Sequence, residues 1–506
     1  MSRPAAWFLA SALVAACSSE AKPEAGGRPA LRELAAPTLT AEQLQLRDPE
    51  TCKGCHPAHY REWSSSMHAY AAKDPVFLAM NQRGQRETNG ALGDFCINCH
   101  APMAVRDGLT HDGLNIAQLD DFERGVSCYF CHNVTAIEGD HNGKLSIAND
   151  TTMRGPLRDA IPSAAHGSAY SSLLDEDTPS SSAMCGACHD VVTPAGVALE
   201  RSFKEYKHGI FSKSAPGSTL AFDSCVGCHM PPKPGVAAEV AGAPERTLHE
   251  HLWPGVDVPL TAFPNSAALR SAVEDCELSR SVQFFKLEVT PPDLFTFQIE
   301  TGAGHNQPSG AAQDRRMWLE FLAYDASGNL LESVSSGNIA EGELEEKPVG
   351  DPKHDPNLFM LRDRIYDAEG KQAHMFWDAR KSAAYPDGHA SSVLPVATTT
   401  YVEGQNAVVK QYRARGPDGK LPARVTARLR IRPIGLDTLQ DLVASGDLDP
   451  AVVKAMPTLT FGAQIAWTPA DGLLKTISSK LTSDCDSYRC MLDPDSPQCT
   501  TTRDTE

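Results

Sequence analysis

The chain has no surplus of basic charge: its 46 Lys and Arg face 64 Asp and Glu, a formal net charge of −18 over 506 residues. That balance excludes nucleic acid as a natural partner, because such binding rests on cations neutralising phosphates. Basic redox proteins and cationic surfaces are the electrostatically matched partners. Long apolar runs are missing too. The one candidate, within Arg3–Cys17, is too short to span a bilayer comfortably. Zinc clusters built from paired CxxC motifs, and a thioredoxin-like dithiol context, are likewise absent.

Cysteine is abundant, and its spacing is the informative feature. Five copies of Cys-x-x-Cys-His occur: Cys52/Cys55/His56, Cys96/Cys99/His100, Cys128/Cys131/His132, Cys185/Cys188/His189 and Cys225/Cys228/His229. This is the attachment signature of a c-type haem. Two thiols three positions apart reach the vinyl groups on one porphyrin edge, and the adjacent histidine falls under the iron as proximal ligand. A histidine after every pair is what zinc and dithiol readings leave unexplained. The expectation is five covalently attached haem c groups, with these ten cysteines as attachment points and His56, His100, His132, His189 and His229 on iron.

Five of the 15 cysteines remain: Cys17, Cys276, Cys485, Cys490 and Cys499. Cys17 closes a charged n-region, a short apolar h-region and small residues, the pattern of a secretory signal. Val14-Ala15-Ala16-Cys17 resembles a bacterial lipobox, against the alternative of an ordinary signal peptide. Several acyl chains on Cys17 would anchor the protein stably. Ser18 after the cysteine favours the outer membrane, facing periplasm or cell surface. Four cysteines in an oxidising compartment imply two disulfides, one tying the tail to Cys276, with the three connectivities open.

Texture divides the chain into a signal at 1–17, a polar Pro/Gly-rich tether at 18–48, a haem-packed region of short helices at 49–260, a β-region at 275–480 and a polar Cys-containing tail at 481–506. The fold class is α+β multidomain. Asp74–Asn81 reads as a short helix. Val282–Val289 and Leu294–Ile299 read as strands joined by Thr290–Asp293, and Met317–Tyr324 and Asn329–Val334 as a hairpin about Asp325–Gly328. Arg362–Tyr366, followed by Asp367–Gly370, repeats that pattern, and Val425–Ile431 alternates with period two. Such spacing predicts an all-β sandwich of roughly immunoglobulin type. Helical stretches Asp437–Ala444 and Asp449–Ala455 interrupt it, with Pro450 at the first helical position and Asp449 as cap.

Several landmarks then resemble the cytochrome c-554 family of multihaem cytochromes: Cys52–His56 followed by Tyr60-Arg-Glu-Trp63 and His68, Gly125-Val-Ser before the third motif, Arg154-Gly-Pro156 with His166, and His229-Met-Pro231. The resemblance covers roughly residues 50–260. Gly304-His305-Asn-Gln-Pro308-Ser-Gly310 looks like a signature of β-domains appended to such cytochromes. The resemblance implies electron transfer through stacked, mostly bis-histidine haems. It points to His68 as a distal ligand. His166, either His251 or its competitor His249, and His305 at the junction with the β-region are the further candidates. The last haem has no clear partner, with His59, His111, His141 and His208 competing weakly; His354, His374 and His389 read as surface residues.

Two strong axial ligands saturate an iron and leave no substrate position. The leading reading is therefore an electron carrier serving other cytochromes or quinol-linked donors. The alternative is a multihaem oxidoreductase acting on nitrite, hydroxylamine or a sulfur oxyanion at one five-coordinate haem. Tyr129, Tyr206 or Arg124 could serve such a site. No motif carries lysine in place of histidine, as a pentahaem nitrite reductase typically would. A third possibility is a surface-binding protein whose sandwich grips a partner cytochrome or mineral face.

Overall fold

Thr40 accepts from the Gln43 backbone while the Gln43 side chain returns to Thr40. This reciprocal cap starts the helix Ala41–Arg47. The computed structural model describes residues 39–506, apart from 162, 213–222, 291, 339–349, 383–392, 399–406, 463, 474–475, 479–483, 495–498 and 500–506. Cys17 and His389 lie outside the described residues. The tether expected over 18–48 is thus too long at its end. Arg47 is buried and pairs with Asp107 at 2.6 Å, which fastens Ala41–Arg47 to the body.

The CxxCH region is a succession of short helices, many with proline in the first turn where its missing N–H costs nothing. They include Pro57–Ser64, Pro75–Glu87, Pro102–Arg106 and Pro179–Gly186. The motifs open or close such helices: Cys128–Asn133 and Cys225–His229 are themselves helical, and His56 caps Pro57–Ser64. Asp74 caps Pro75–Glu87 by accepting from the Val76 N–H, so the expected helix runs on to Glu87.

From Val282 the described residues form two large antiparallel sheets, beside a small one of Gln372–Ala373, Ile365–Tyr366 and Lys381–Ser382. One orders Val408–Arg413, Leu294–Thr301, Val282–Thr290 and Thr476–Ser478. The other orders Phe359–Leu361, Arg316–Tyr324, Arg424–Arg432 and Leu459–Thr460, with Ile465–Trp467 also on Arg424–Arg432. Phe295, Phe297 and Leu287 of the first meet Met317, Phe321 and Leu429 of the second in one core. Phe321 stacks on Tyr412 at 4.4 Å. The expected sandwich is present, but the return strand Asn329–Val334 is not. Glu332–Val334 turns as a 3-10 helix, and only single bridges tie Leu330 to Tyr324 and Ser336 to Phe321.

The β-region does not stand apart from the CxxCH region. Helices Leu436–Ala444 and Pro450–Ala455 bury Leu439, Leu442 and Val452 with Val76, Ala79 and Leu92. Trp377 donates to Glu87 at 2.9 Å, and Arg86 grips Asp447 with two bonds of 2.6 Å. Pro37–Glu506 is one compact unit. Among the described residues no helix is long and apolar enough to cross a membrane.

The tail is tied down by Cys276–Cys485 and Cys490–Cys499. Its helix Asp486–Leu492 sends Tyr488 Oη and Arg489 Nε to the buried Glu250 carboxylate, each at 2.6 Å. The Cys276–Cys485 link closes 209 residues. In the chain-entropy model a loop of that size is worth about 5 kcal/mol. Cys485→Ser should therefore lower stability by roughly 2–5 kcal/mol, read as a fall in the thermal unfolding midpoint that added reductant reproduces in the parent.

Candidate functional site

Four of the five CxxCH histidines face a second histidine. Ring centroids lie 6.2 Å apart for His56 and His166, 6.2 Å for His68 and His189, 6.3 Å for His132 and His251, and 6.4 Å for His229 and His305. Such gaps hold one metal ion bound at about 2 Å to a nitrogen of each ring.

Hydrogen bonds fix which nitrogen points inward. His56 Nδ1 donates to Ala237 O at 2.6 Å and His166 Nδ1 to Gly167 O at 2.9 Å. His132 Nδ1 donates to Arg154 O at 2.5 Å and His251 Nδ1 to His249 O at 2.8 Å. His229 Nδ1 and His305 Nδ1 reach Pro254 O and Asn306 O, both at 2.9 Å. In these three pairs both Nδ1 atoms are occupied, so both Nε2 atoms are left for a metal, the usual outer-shell arrangement. Burial pushes His68 down to about 3 and holds His132, His229, His251 and His305 below the ordinary value. These rings are thus kept neutral, as ligands must be.

The fold builds each pair from distant segments. Trp63 donates to Val126 O at 2.8 Å, and Val126 N donates to His68 O at 2.9 Å. A Cβ at Gly125 would sit 2.7 Å from that same carbonyl, so only glycine allows the approach. His305 is held by its neighbours: Asn306 N and Ser309 Oγ both donate to Glu205 at 3.1 Å. Glu62 accepts from His251 N at 2.9 Å and pairs with Lys233.

His249 does not face a motif histidine. It ends the strand Glu245–His249, where its Nδ1 donates to Met230 O at 2.7 Å and its Nε2 lies 3.4 Å from Glu176. Two residues on, the chain has left the strand and His251 turns to His132. Tyr129 and Tyr206 spend their hydroxyls on the carbonyls of Asp150 and Asp223.

His100 is the exception. Its Nδ1 donates to Ala71 O at 2.9 Å, but among the described residues no imidazole faces it, and Phe77 stacks on it at 4.1 Å.

Two rings join the pairs. His59 stands edge-on to His251 at 4.7 Å and lies 6.1 Å from His56. Trp253 stands edge-on to His68 at 4.7 Å and to His251 at 5.2 Å. Its backbone is left-handed, with φ of 48°, a conformation costing about 1–2 kcal/mol. Nothing in the residue pattern marks Trp253 for this position.

The ten motif cysteines are half-buried, and none of them is in a disulfide. Several adjoin a thiol of another motif: Cys52 with Cys128, Cys99 with Cys188, and Cys185 with Cys225. Cys96 packs against two apolar clusters, and Cys228 Sγ donates to Asp223 at 3.3 Å. Cys55 is held differently from the others. Among the described residues its side chain makes no hydrogen bond, and backbone bonds alone place it. Cys55 N donates to Cys52 O at 3.1 Å, and Cys55 O accepts from Glu239 N at 2.7 Å. The physical reason is its setting: the first motif is a non-helical turn before Pro57, flanked by the exposed Lys53 and Gly54.

Among the described residues no three His, Cys, Asp or Glu side chains converge as a site for a bare metal ion. A metal between two imidazoles must then bring its other donors with it, as a porphyrin does, and the paired thiols beside each motif histidine fit its covalent attachment. The residues present suit haem c.

Residues 51–133 match the family model described as cytochrome c554 and c-prime. That stretch holds the first three motifs. Over 83% of this chain and 98% of the other, the fold is similar to a penta-heme cytochrome c552 from Thermochromatium tepidum, with a TM-score of 0.54 and 21% identity. No curated protein matches. Motifs, geometry and matches together identify the chain as a multihaem c-type cytochrome.

Proposed function

We propose that the chain is an exported electron carrier with five covalently bound haems, held at the bacterial outer membrane through Cys17. The observation that carries this reading is the set of four facing histidine pairs. His68, His166, His251 and His305 serve as distal ligands opposite His189, His56, His132 and His229. Bound haem supplies one-electron ferric/ferrous chemistry, and a second strong ligand excludes substrate from the iron. The protein orients the imidazoles, and desolvation keeps His68, His132, His229, His251 and His305 neutral. Adjoining thiols place motif one beside three, two beside four, and four beside five. Cys131 also senses Cys188, which brings motif three beside four. The route is thus continuous and needs only a redox partner at each end.

A second reading rests on His100, which has Phe77 and no facing imidazole among the described residues. An iron held by His100 alone would be open to a small ligand such as nitrite or hydroxylamine, and the chain would then reduce or oxidise it.

Low-temperature EPR of the oxidised, haem-loaded protein separates these readings. Four low-spin ferric haems and one high-spin haem are expected, the latter unchanged by nitrite or hydroxylamine if the chain only carries electrons. A high-spin signal altered by either compound favours the oxidoreductase. His305→Ala should convert one further haem to high-spin; an unchanged low-spin count would rule out His305 as a ligand.

A further inference from the structure

One motif histidine differs from the others in what holds its second nitrogen. His56, His100, His132 and His229 donate Nδ1 to backbone carbonyls at 2.5–2.9 Å. His189 Nδ1 instead meets the carboxylate of Glu200, at 3.2 Å.

The local fold builds this contact. After the fourth motif the chain forms a hairpin of Val191–Val192 with Ala198–Glu200, in which Val191 pairs with Glu200. The hairpin thus returns Glu200 to the motif it left. Arg201 grips Asp190 at 2.8 Å, and Lys204 N donates to Asp190 at 3.0 Å, closing its base. Arg315 feels the Glu200 charge, but its own hydrogen bonds go to Asp257, at 2.5 and 2.7 Å, and to Pro433 O. Glu200 is left to His189.

A carbonyl is a neutral acceptor, whereas a carboxylate carries a full charge and makes the stronger bond. It draws the Nδ1 proton towards itself and makes Nε2 a more electron-rich ligand. Both the charge and the ligand basicity favour ferric over ferrous iron. We propose that Glu200 is a positioning residue that gives the haem held by His189 the lowest potential of the four two-histidine haems, so that it is reduced last. This rests on the ligand pairs assigned above. One electron from the redox partner converts ferric to ferrous iron, while the proton stays between His189 Nδ1 and Glu200.

The location gives the tuning a consequence. Cys188 adjoins Cys99, and Cys185 adjoins Cys225, so the fourth motif is the junction of the route. A low-potential junction lets the arms fill first and makes exchange between them an uphill step.

The test is a spectroelectrochemical titration of the full haem-loaded chain, following the low-spin EPR signals. The signal lost in His68→Ala identifies the haem on His189. Glu200→Gln keeps the size and an acceptor oxygen but removes the charge. It should move that one midpoint positive, by about 59 mV for a tenfold change in the one-electron equilibrium. Haem content should stay unchanged, and the midpoints of the haems on His100 and His305, which also feel the Glu200 charge, should move less. Glu200→Asp, which restores the charge, should move it less. An unmoved midpoint, or an equal shift in all haems, would overturn the role of Glu200. If His68→Ala removes no low-spin signal, the ligand assignment itself fails, whatever Glu200→Gln does.

Discussion

Two imidazoles facing each other across one metal-sized gap are the constraint on which the rest of this structure depends. Each pair joins a histidine fixed by its own CxxCH turn to one from elsewhere in the chain. The second must arrive at a set distance with the correct nitrogen inward. Backbone carbonyls meet the second requirement by occupying Nδ1 in His56, His132, His166, His229, His251 and His305. Burial keeps the buried rings neutral.

The segment His249–Gly255 shows how several such demands fall on a few residues. His251 faces His132, Trp253 wedges between His251 and His68, and Pro254 O orients His229. Glu62 holds the backbone of His251, while Glu250 is fixed by Tyr488 and Arg489 of the tail helix. That helix is tied in turn to Cys276 through Cys485. A covalent link in the β-region therefore supports three of the histidine pairs. The β-region acts here as scaffold as well as neighbour, because His305 projects from the end of its strand Leu294–Thr301 and is fastened by Glu205 of the CxxCH region.

The attachment motifs were legible because they are local: thiol spacing and the adjacent histidine need no tertiary information. How each thiol is held was not, as Cys55 shows, because that depends on neighbours brought by the fold. Strands over 282–289 and 294–299 were legible from their strand-like runs, Val425–Ile431 from period-two alternation, and Pro450 with Asp449 from cap chemistry. Asn329–Val334 misled because its apolar residues mimic a strand while its ladder bonds are too few. The tether was drawn too long because Thr40–Gln43 is a strong cap within a polar stretch. His249 and His251 could not be told apart in sequence, since the choice depends on where a strand ends. Glu200 and Trp253 left no sequence signal, because their roles arise only once a hairpin and a left-handed residue bring them to the rings. His59 stood among weak candidates, and its place between His56 and His251 is purely tertiary.

Iron-edge anomalous diffraction from crystals of the haem-loaded protein tests the central claim most directly. The account predicts five iron peaks: four midway between the His56/His166, His68/His189, His132/His251 and His229/His305 rings, and one beside His100 without an opposing imidazole. Fewer than five peaks, or irons displaced from the four midpoints, would contradict it.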